Sequence, residues 1–289
     1  MADNATKVIQ CPIRQNKILT SSQARIHLVV ATAITIACVV VVIIVNMLFI
    51  VATKINKSIR RSVNNLYVLL SVSDLLLGLT FLPINAVLLP GYYNATLNCN
   101  VLQLRSVSSH IFATTSISAI ACITAEIYLA VHQPLNHAAR IRKNRMCRIL
   151  VSIWIVCISF AMIANYGYDK LYEAYKLSAA FYGVAVLALM IFCQVKIEMY
   201  LRSHQTVSNC RNKKATRIVR LTLIAYLFCY LPTGVNHFYS GTVGDTAFTE
   251  TFIDPWCYFL IVFNAVLDTF IYGFRSKNVR KVINRPFST

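Results

Sequence analysis

The sequence predicts an all-α membrane protein, a bundle of seven transmembrane helices with a short amphipathic eighth helix on the cytoplasmic surface. Hydrophobic residues make up 57% of the 289 residues and charged residues only 13%, proportions that soluble domains do not have. Apolar runs of roughly 20 residues, the length that crosses the hydrocarbon core of a bilayer, recur along the chain. These runs are continuously apolar, which favours helices over the alternating strands of a barrel.

The predicted spans lie at about residues 27–53, 63–89, 102–131, 147–165, 177–201, 217–240 and 250–273. The mostly polar segment 1–26 is predicted to be an extracellular N-terminal tail without a cleavable signal. The seven-helix domain therefore occupies residues 27–273. The basic segment 274–289 is predicted to form the membrane-surface helix and a short cytoplasmic tail.

Lysine and arginine set the predicted orientation, because these residues are retained near short loops on the cytoplasmic side. Of the 28 basic residues, 21 fall near the first, third and fifth connections between spans or in the C-terminal tail. A multi-pass plasma-membrane protein with its N-terminus outside is therefore predicted. The net charge of +18 follows from this topology and from attraction to anionic lipids, so nucleic acid is not an expected partner. Glycosylation sequons at Asn4 and Asn94 fall on the predicted outer side.

Polar and rigid residues interrupt the apolar spans, and such residues inside a membrane helix commonly serve packing or function. With the leucines that accompany them, these landmarks are, in chain order, Asn46, then Leu66 with Asp74 and Pro83, then Trp154, then Cys229, Tyr230, Leu231 and Pro232, and finally Asn264, Asp268, Thr269 and Tyr272. The third span ends in Glu126, Ile127 and Tyr128, and Pro134 and Leu135 follow shortly after it.

The order and spacing of these motifs resemble the rhodopsin-like (class A) G-protein-coupled receptors over about residues 26–284. The resemblance implies a receptor and not an enzyme, one that binds an extracellular ligand and signals to heterotrimeric G-proteins. The short second outer loop, predicted at about 165–176, Val184 in place of a helix-five proline, and Asp268 are similar to the melanocortin, cannabinoid and lipid branch of the family.

The residues that the resemblance assigns to G-protein coupling are Glu126, Ile127, Tyr128, Pro134, Leu135 and Tyr272. Ile127 stands where the family carries an arginine, and it has neither the charge nor the donors of that side chain. Phe192, Tyr230 and Thr269 replace other parts of the family's switch. Two alternatives therefore stay open. One is a receptor-like binding or partner protein without conventional G-protein activation; the other, less favoured, is a seven-helix transporter or channel, which would show internal repeats.

The resemblance also implies an outer ligand pocket lined by Arg105, Ser109, His110, Ala113, Tyr230, Thr233, His237, Asp254 and Tyr258. Amine receptors of the family carry an aspartate at the position of Ser109, so a typical biogenic amine is not expected. Retinal is excluded because no lysine lies between Glu250 and Phe274. Arg105 and His237 favour a ligand with a carboxylate or phosphate, although Arg105 has Asp254 as an alternative partner.

Two carboxylates, Asp74 and Asp268, fall inside predicted spans, where a charged side chain costs roughly 2.5–3.5 kcal/mol. In the resembling family both positions face one inner cavity that holds sodium. A site for Na⁺ or for a shared proton is therefore predicted at Asp74, Ser116, Asn264 and Asp268. The alternative is a purely structural hydrogen-bond cluster, and no other cofactor or metal is expected.

The outer disulfide of the resembling family is missing or rearranged in this sequence. Leu102 stands at the position of the family's helix-three cysteine, and the predicted second outer loop has no cysteine. Of the cysteines near the outer side, Cys11 and Cys99 are the candidate pair for a disulfide.

Overall fold

A computed structural model describes residues 8–10, 17–19, 21–55, 65–132, 143–166, 169–203 and 210–273. Its long helices are α1 (Ser22–Ile55), α2 (Asn65–Asn94), α3 (Cys99–His132), α4 (Lys143–Tyr166), α5 (Asp169–Ser203), α6 (Cys210–Val243) and α7 (Asp254–Asp268). Two π-helical turns, Thr249–Ile253 and Thr269–Gly273, extend α7 at its two ends. Each predicted span corresponds to one of these helices.

The helices have the length and surface of membrane spans. Six of the described helices are long and apolar enough to cross a bilayer, the last being α7 together with its two turns; in α4 the apolar stretch, Arg148–Phe160, is shorter. Large apolar side chains face outward, and Ile155 and Ile44 are 61% and 52% exposed. Because such a surface is stable in hydrocarbon and not in water, the predicted all-α membrane fold is confirmed.

The helices pack into a closed bundle around an apolar centre. α1 packs against α2 and α7, α3 lies against α2, α4 and α5, and α6 lies between α5 and α7. The largest buried cluster includes Val39, Phe81, Ile120, Met190 and Val262, which come from five different helices. Six of the helices thus contribute to the largest cluster, and α4 packs against the bundle through Leu150 in a second cluster with Leu66 and Ile123.

A small β-hairpin covers one end of the bundle. Strand β1 (Val8–Gln10) pairs antiparallel with β2 (Lys17–Leu19). The Leu19 backbone N–H donates to Thr251 Oγ1 at 3.1 Å, and Ile18 packs among Leu28 and Leu88. We call this end of the bundle the hairpin end, and the opposite end, where Tyr272 lies, the Tyr272 end.

The structure moves two of the predicted limits. α1 begins at Ser22, inside the segment predicted as a tail, because β2 and the first turn of α1 pack onto the bundle. The predicted loop at about 165–176 is largely helical, since α5 begins at Asp169. The predicted segment 274–289, which includes the eighth helix, lies outside the described residues. So do four residues with predicted roles, namely Asn4, Cys11, Pro134 and Leu135.

Candidate functional site

Arg105 lies at the centre of a polar cluster at the hairpin end. Its guanidinium carbon is 4.5 Å from the ring centroid of Tyr258 on α7 and 5.7 Å from that of Tyr92 on α2. The side chain is buried, with 5% of its surface exposed, and its Nε has no hydrogen-bond partner within the described part of the chain. Guanidinium groups stack favourably on aromatic faces, so the two tyrosines hold Arg105 in place.

Asp254, the predicted alternative partner of Arg105, is engaged elsewhere. Its Oδ1 accepts a hydrogen bond of 2.6 Å from Asn236 Nδ2, which joins α7 to α6. The ion pairs between described residues do not include Arg105. The carboxylate and the guanidinium are close enough to interact electrostatically, yet each is held by a different neighbour.

Three aromatic rings bring α3, α5 and α6 together beside this cluster. The ring of His110 lies 5.2 Å from that of His237 and 5.1 Å from that of Tyr175, centroid to centroid. His110 and Tyr175 are buried, whereas His237 is partly exposed. The structure thus gathers Arg105, His110, His237 and Tyr258 at the hairpin end, as the sequence predicted for a ligand pocket.

The remaining predicted pocket residues are less available to a ligand. Ser109 Oγ donates to the Ser106 carbonyl at 2.7 Å, and Thr233 Oγ1 donates to the Cys229 carbonyl at 3.4 Å, each within its own helix. Ala113 is buried in the central apolar cluster. The hydroxyls of Ser109 and Thr233 therefore donate within their own helices and not towards a ligand.

An ion pair that the sequence did not predict closes the same end. Lys176 Nζ on α5 donates to both carboxylate oxygens of Asp245, at 2.5 and 2.7 Å, and the Lys176 side chain is 5% exposed. Sequence reasoning placed Lys176 in a loop. Lys176 belongs instead to α5, which begins at Asp169 and is longer than the predicted span.

The predicted carboxylate site is present in the middle of the bundle. Asp268 Oδ2 accepts a hydrogen bond of 2.7 Å from Asn264 Nδ2 and a long one of 3.5 Å from Ser116 Oγ. Asn264 Nδ2 also donates to the Tyr230 hydroxyl at 3.3 Å. The site therefore joins α3, α6 and α7, and Tyr230 belongs both to it and to the predicted ligand pocket.

Asp74 on α2 is the second carboxylate of this cluster. It is 3% exposed, and its charge interacts with that of Asp268. Three oxygens of the site have no hydrogen-bond donor among the described residues: Asp74 Oδ2, Asn264 Oδ1 and Asp268 Oδ1. Carboxylate and amide oxygens of this kind are the ligands that hard cations take.

Thr269, which stands where the resembling family has a proline, makes a contact between α1 and the last helix. Its Oγ1 donates to Asn46 Oδ1 at 2.9 Å and also lies 3.1 Å from the Ala265 carbonyl. Asn46 is fully buried, and its Nδ2 donates to the Val42 carbonyl at 3.1 Å. The threonine hydroxyl is thus the donor that satisfies a buried amide oxygen.

At the Tyr272 end, Ile127 packs between two apolar clusters. On one side it contacts the cluster that contains Leu66 and Leu150, and on the other the cluster of Val131, Ile197 and Val219. Ile127 therefore bridges the α2–α4 side of the bundle to the α5–α6 side by apolar packing, where an arginine would need polar partners.

Tyrosines and their neighbours surround Ile127. The Tyr272 hydroxyl lies 2.7 Å from Thr222 Oγ1 on α6, and its ring stacks on Tyr67 at 4.9 Å. Tyr128 lies 4.3 Å from His132 and 6.0 Å from Phe192, centroid to centroid. Glu126 is partly buried. The predicted coupling residues that are described thus share one end of the bundle.

An ion pair between α5 and α6 lies at the same end. Arg220 NH2 donates to Glu198 Oε1 at 2.6 Å, and Gln194 Nε2 donates to the same oxygen at 2.5 Å. Sequence reasoning counted Arg220 only as a cytoplasmic charge. An acid on α5 facing a basic residue on α6 was the signal, but which helix faces pack together is not readable from either segment alone.

Cys99, at the start of α3, forms a disulfide bond. The cysteines described as free are Cys38, Cys122, Cys157, Cys193, Cys229 and Cys257. Of the three others, Cys147 and Cys210 belong to the starts of α4 and α6 at the Tyr272 end, whereas Cys11 lies outside the described residues and directly follows β1 in the sequence. The pairing of Cys99 with Cys11 stays a prediction that this arrangement supports.

Comparisons with known proteins agree with the arrangement. The family model described as 7 transmembrane receptor (rhodopsin family) matches residues 45–174. The histamine H2 receptor of Homo sapiens is 25% identical over 100% of this chain and 83% of its own length. That of Cavia porcellus is 24% identical over 91% of this chain and 80% of its own length. The octopamine receptor beta-1R of Drosophila melanogaster is 22% identical over 84% of this chain and 58% of its own length.

These relatives are named as receptors for amines, and the likeness to the melanocortin, cannabinoid and lipid branch stays a prediction. The buried polar centre, the apolar outer surface and the family match point to the same class of protein. The chain is similar to the rhodopsin-like family of seven-transmembrane, G-protein-coupled receptors, in the family model over residues 45–174 and in these relatives along most of its length.

Proposed function

We propose that this receptor binds an extracellular ligand at the hairpin end and engages a heterotrimeric G-protein at the Tyr272 end. The distribution of basic residues supports this orientation, and Asn94, in a glycosylation sequon, is exposed at the hairpin end. Cysteine scanning with a membrane-impermeant thiol reagent tests the orientation. Cysteine introduced at Tyr93 should react in intact cells, and cysteine at Arg202 only after permeabilisation.

The observation that carries the functional proposal is a set of polar contacts running from the ligand pocket towards the Tyr272 end. Tyr230 contacts Asn264, Asn264 contacts Asp268, and one helical turn further the Tyr272 hydroxyl contacts Thr222. These bonds join α6 to α7 at two levels. A ligand that moves α6 at Tyr230 therefore changes contacts at the far end, which is how two arrangements with different G-protein affinity can be coupled.

The first candidate ligand is a small molecule with a carboxylate or phosphate. A buried guanidinium without a direct ion pair is costly, and among the described residues Arg105 stacks on two aromatic rings and makes no ion-pair contact, while Asp254 interacts with it only at longer range. An anionic group placed beside Arg105 would supply a direct ion pair and a partner for Nε.

The second candidate ligand is an amine, which the names of the relatives favour. Ser109 replaces the aspartate that anchors amines in the resembling receptors, and its hydroxyl is bonded to its own helix. Asp254 is the carboxylate at the hairpin end that Asn236 positions, so it is the group on which an ammonium would bind.

A parallel screen of organic acids and amines for G-protein activation in cells distinguishes the two candidates. If the ligand is an acid, Arg105→Gln should lower its potency by about tenfold or more and Asp254→Asn much less, since charge-assisted hydrogen bonds contribute about 1.5–3 kcal/mol. An amine should show the reverse order. Arg25→Gln is the matched control, because Arg25 lies at the same end but donates to the Tyr93 carbonyl.

G-protein activation itself is tested by comparing the natural receptor with Ile127→Arg and Ile127→Leu. The comparisons give no support to a receptor-like protein without such activation, and we expect the natural chain to signal. Ile127→Leu keeps the apolar packing between the two clusters and should signal like the natural chain. Silence of the natural chain and of Ile127→Leu, together with activity of Ile127→Arg at equal surface expression, would favour the non-activating alternative.

We further propose that Asp74, Ser116, Asn264 and Asp268 hold Na⁺. Three oxygens of this site have no hydrogen-bond donor among the described residues, and the charges of Asp74 and Asp268 interact with each other. Both observations support this assignment. Replacing sodium by N-methylglucamine should change agonist affinity in the natural receptor and not in Asp74→Asn. Equal affinities in both salts for the natural receptor would exclude sodium binding and leave a shared proton or a structural hydrogen-bond cluster.

A further inference from the structure

A cavity of about 300 Å³ opens between α5 and α6 on the outer surface of the bundle. It lies between the outward faces of two helices and shares only Tyr230 with the predicted ligand pocket. Its mouth is formed by side chains that face the surroundings of the protein, and Phe181, Val184 and Val235 are 64%, 62% and 62% exposed. Its inner wall is formed by Tyr226 and Tyr230.

The space exists because two glycines face it, Gly183 on α5 and Gly234 on α6. A Cβ added at Gly234 would meet no atom within 4 Å, so the missing side chain is what leaves the room. At Gly183 an added Cβ would lie 3.3 Å from the Tyr226 hydroxyl. That hydroxyl donates to the Gly183 carbonyl at 2.7 Å, a bond that fixes the two helices at this separation.

The chemistry of the cavity excludes a polar occupant. The two hydroxyls in its wall already have partners, since Tyr226 donates to Gly183 and Tyr230 accepts from Asn264. The other lining side chains are apolar. An apolar cavity about half this size stays dry and takes up benzene, so water is not the expected filling.

We propose that this cavity is a binding site for one acyl chain of a bilayer phospholipid. The exposed apolar residues at its mouth place it at the depth of the hydrocarbon core, where lipid chains are the molecules in contact with α5 and α6. Filling the cavity restores the dispersion contacts that its lining lacks when it is empty. The proposal requires only that the bundle spans a membrane, and it does not depend on the ligand or on G-protein coupling.

The site has a direct route to the polar centre of the receptor. Tyr230 lines the cavity with its ring, and its hydroxyl contacts Asn264, which bonds Asp268. Val184 and Tyr230 are also two positions at which the sequence departs from the resembling family. Both departures thus meet in one cavity, and the occupant of this cavity touches a residue of the proposed signalling path.

Photolabelling tests the proposal on the full-length receptor in nanodiscs containing a phosphatidylcholine with a diazirine in its acyl chain. Label mapped by mass spectrometry should concentrate on residues 180–187 and 226–238, relative to the exposed face of α1. In Gly234→Phe, and in the smaller Gly234→Leu, it should fall to the level of that face because the side chain fills the cavity. Ala188→Phe is the matched control, since Ala188 is exposed on α5 outside the cavity.

Three results would overturn the proposal. One is even labelling of all exposed helix faces. Another is labelling of the α5–α6 segments that neither Gly234 variant reduces, although both variants keep the thermal stability of the natural receptor. The third is displacement of the label by cholesterol at a mole fraction where added unlabelled phospholipid has no effect, which would assign the site to a sterol.

Discussion

Replacing Thr269 by valine removes one hydroxyl and keeps the shape of the side chain. The hydroxyl donates to Asn46 Oδ1 at 2.9 Å, and Asn46 is fully buried at the contact of α1 with the last helix. The Asn46 Nδ2 group already donates within α1, so rotation of the amide does not supply a new donor for its oxygen. The variant therefore leaves a buried acceptor without a partner.

Two magnitudes bear on the loss of stability. An unsatisfied buried polar group costs about 1–3 kcal/mol, whereas hydrogen bonds between membrane helices average only about 0.6 kcal/mol because the unfolded state also finds partners. Since the Asn46 site is closed to water and lipid, we expect a value between them, about 1–2 kcal/mol. For a protein of this size that corresponds to a fall in melting temperature of about 2–8 °C.

Buried free thiols provide the assay. Cys193 and Cys229 are 1% and 0% exposed and become reactive towards a thiol-sensitive dye as the purified receptor unfolds on heating. Thr80→Val is the matched control, because the Thr80 hydroxyl donates to the Leu76 carbonyl within its own helix and leaves no orphan when removed. Equal melting temperatures for Thr269→Val and Thr80→Val would refute the role assigned to the Thr269–Asn46 bond.

The two ion pairs should differ in the same assay. Asp245→Asn removes the charge of the carboxylate that accepts two hydrogen bonds from the Lys176 ammonium, 5% exposed, and should destabilise by about 2–3 kcal/mol. Lys176→Met leaves Asp245, 23% exposed and within reach of water, and should cost about 1 kcal/mol. The reverse order would contradict the burial described for this pair. Arg220→Gln should change stability by less than about 1 kcal/mol, because the Arg220 side chain is 59% exposed. A larger loss would mean that Arg220 has a further structural role.

The outer disulfide gives a separate prediction for the natural chain. If Cys99 pairs with Cys11, the hairpin is covalently tied to the start of α3, and Cys11→Ser should lower the melting temperature as much as Cys99→Ser does. Peptide mapping without reduction identifies the pair directly. A Cys11 that alkylates in the native, unreduced receptor would exclude this pairing.

Much of the fold was predictable from sequence because its causes are local. Seven continuous apolar runs of bilayer length require seven helices, and each run corresponds to a helix in the structure. The grouping of the two buried acids was predicted from the family resemblance. The cost of a charge inside a membrane indicates only that Asp74 and Asp268 each have a role there, whereas the resemblance places both at one cavity, and their charges interact in the structure.

Other features of the site depend on which helix faces meet. From sequence, Arg105 was a candidate ligand contact with Asp254 as an alternative partner. In the structure Asn236 holds the carboxylate, and Tyr258 and Tyr92 hold the guanidinium. Ile127 was predicted only as the loss of an arginine. In the structure it is an apolar bridge between two clusters, because residues of α2, α4, α5 and α6 converge on it.

The sequence by itself determined the membrane class, the number of helices and the two acids inside the spans, Asp74 and Asp268, because hydrophobic length and the cost of a charge in hydrocarbon are properties of single segments. Only the tertiary structure decided the partners. Thr269 and Asn46 are 223 residues apart, and the cavity at Gly183 and Gly234 belongs to two helices at once. Such contacts depend on the rotation and spacing of packed helices, which no periodicity within one helix specifies.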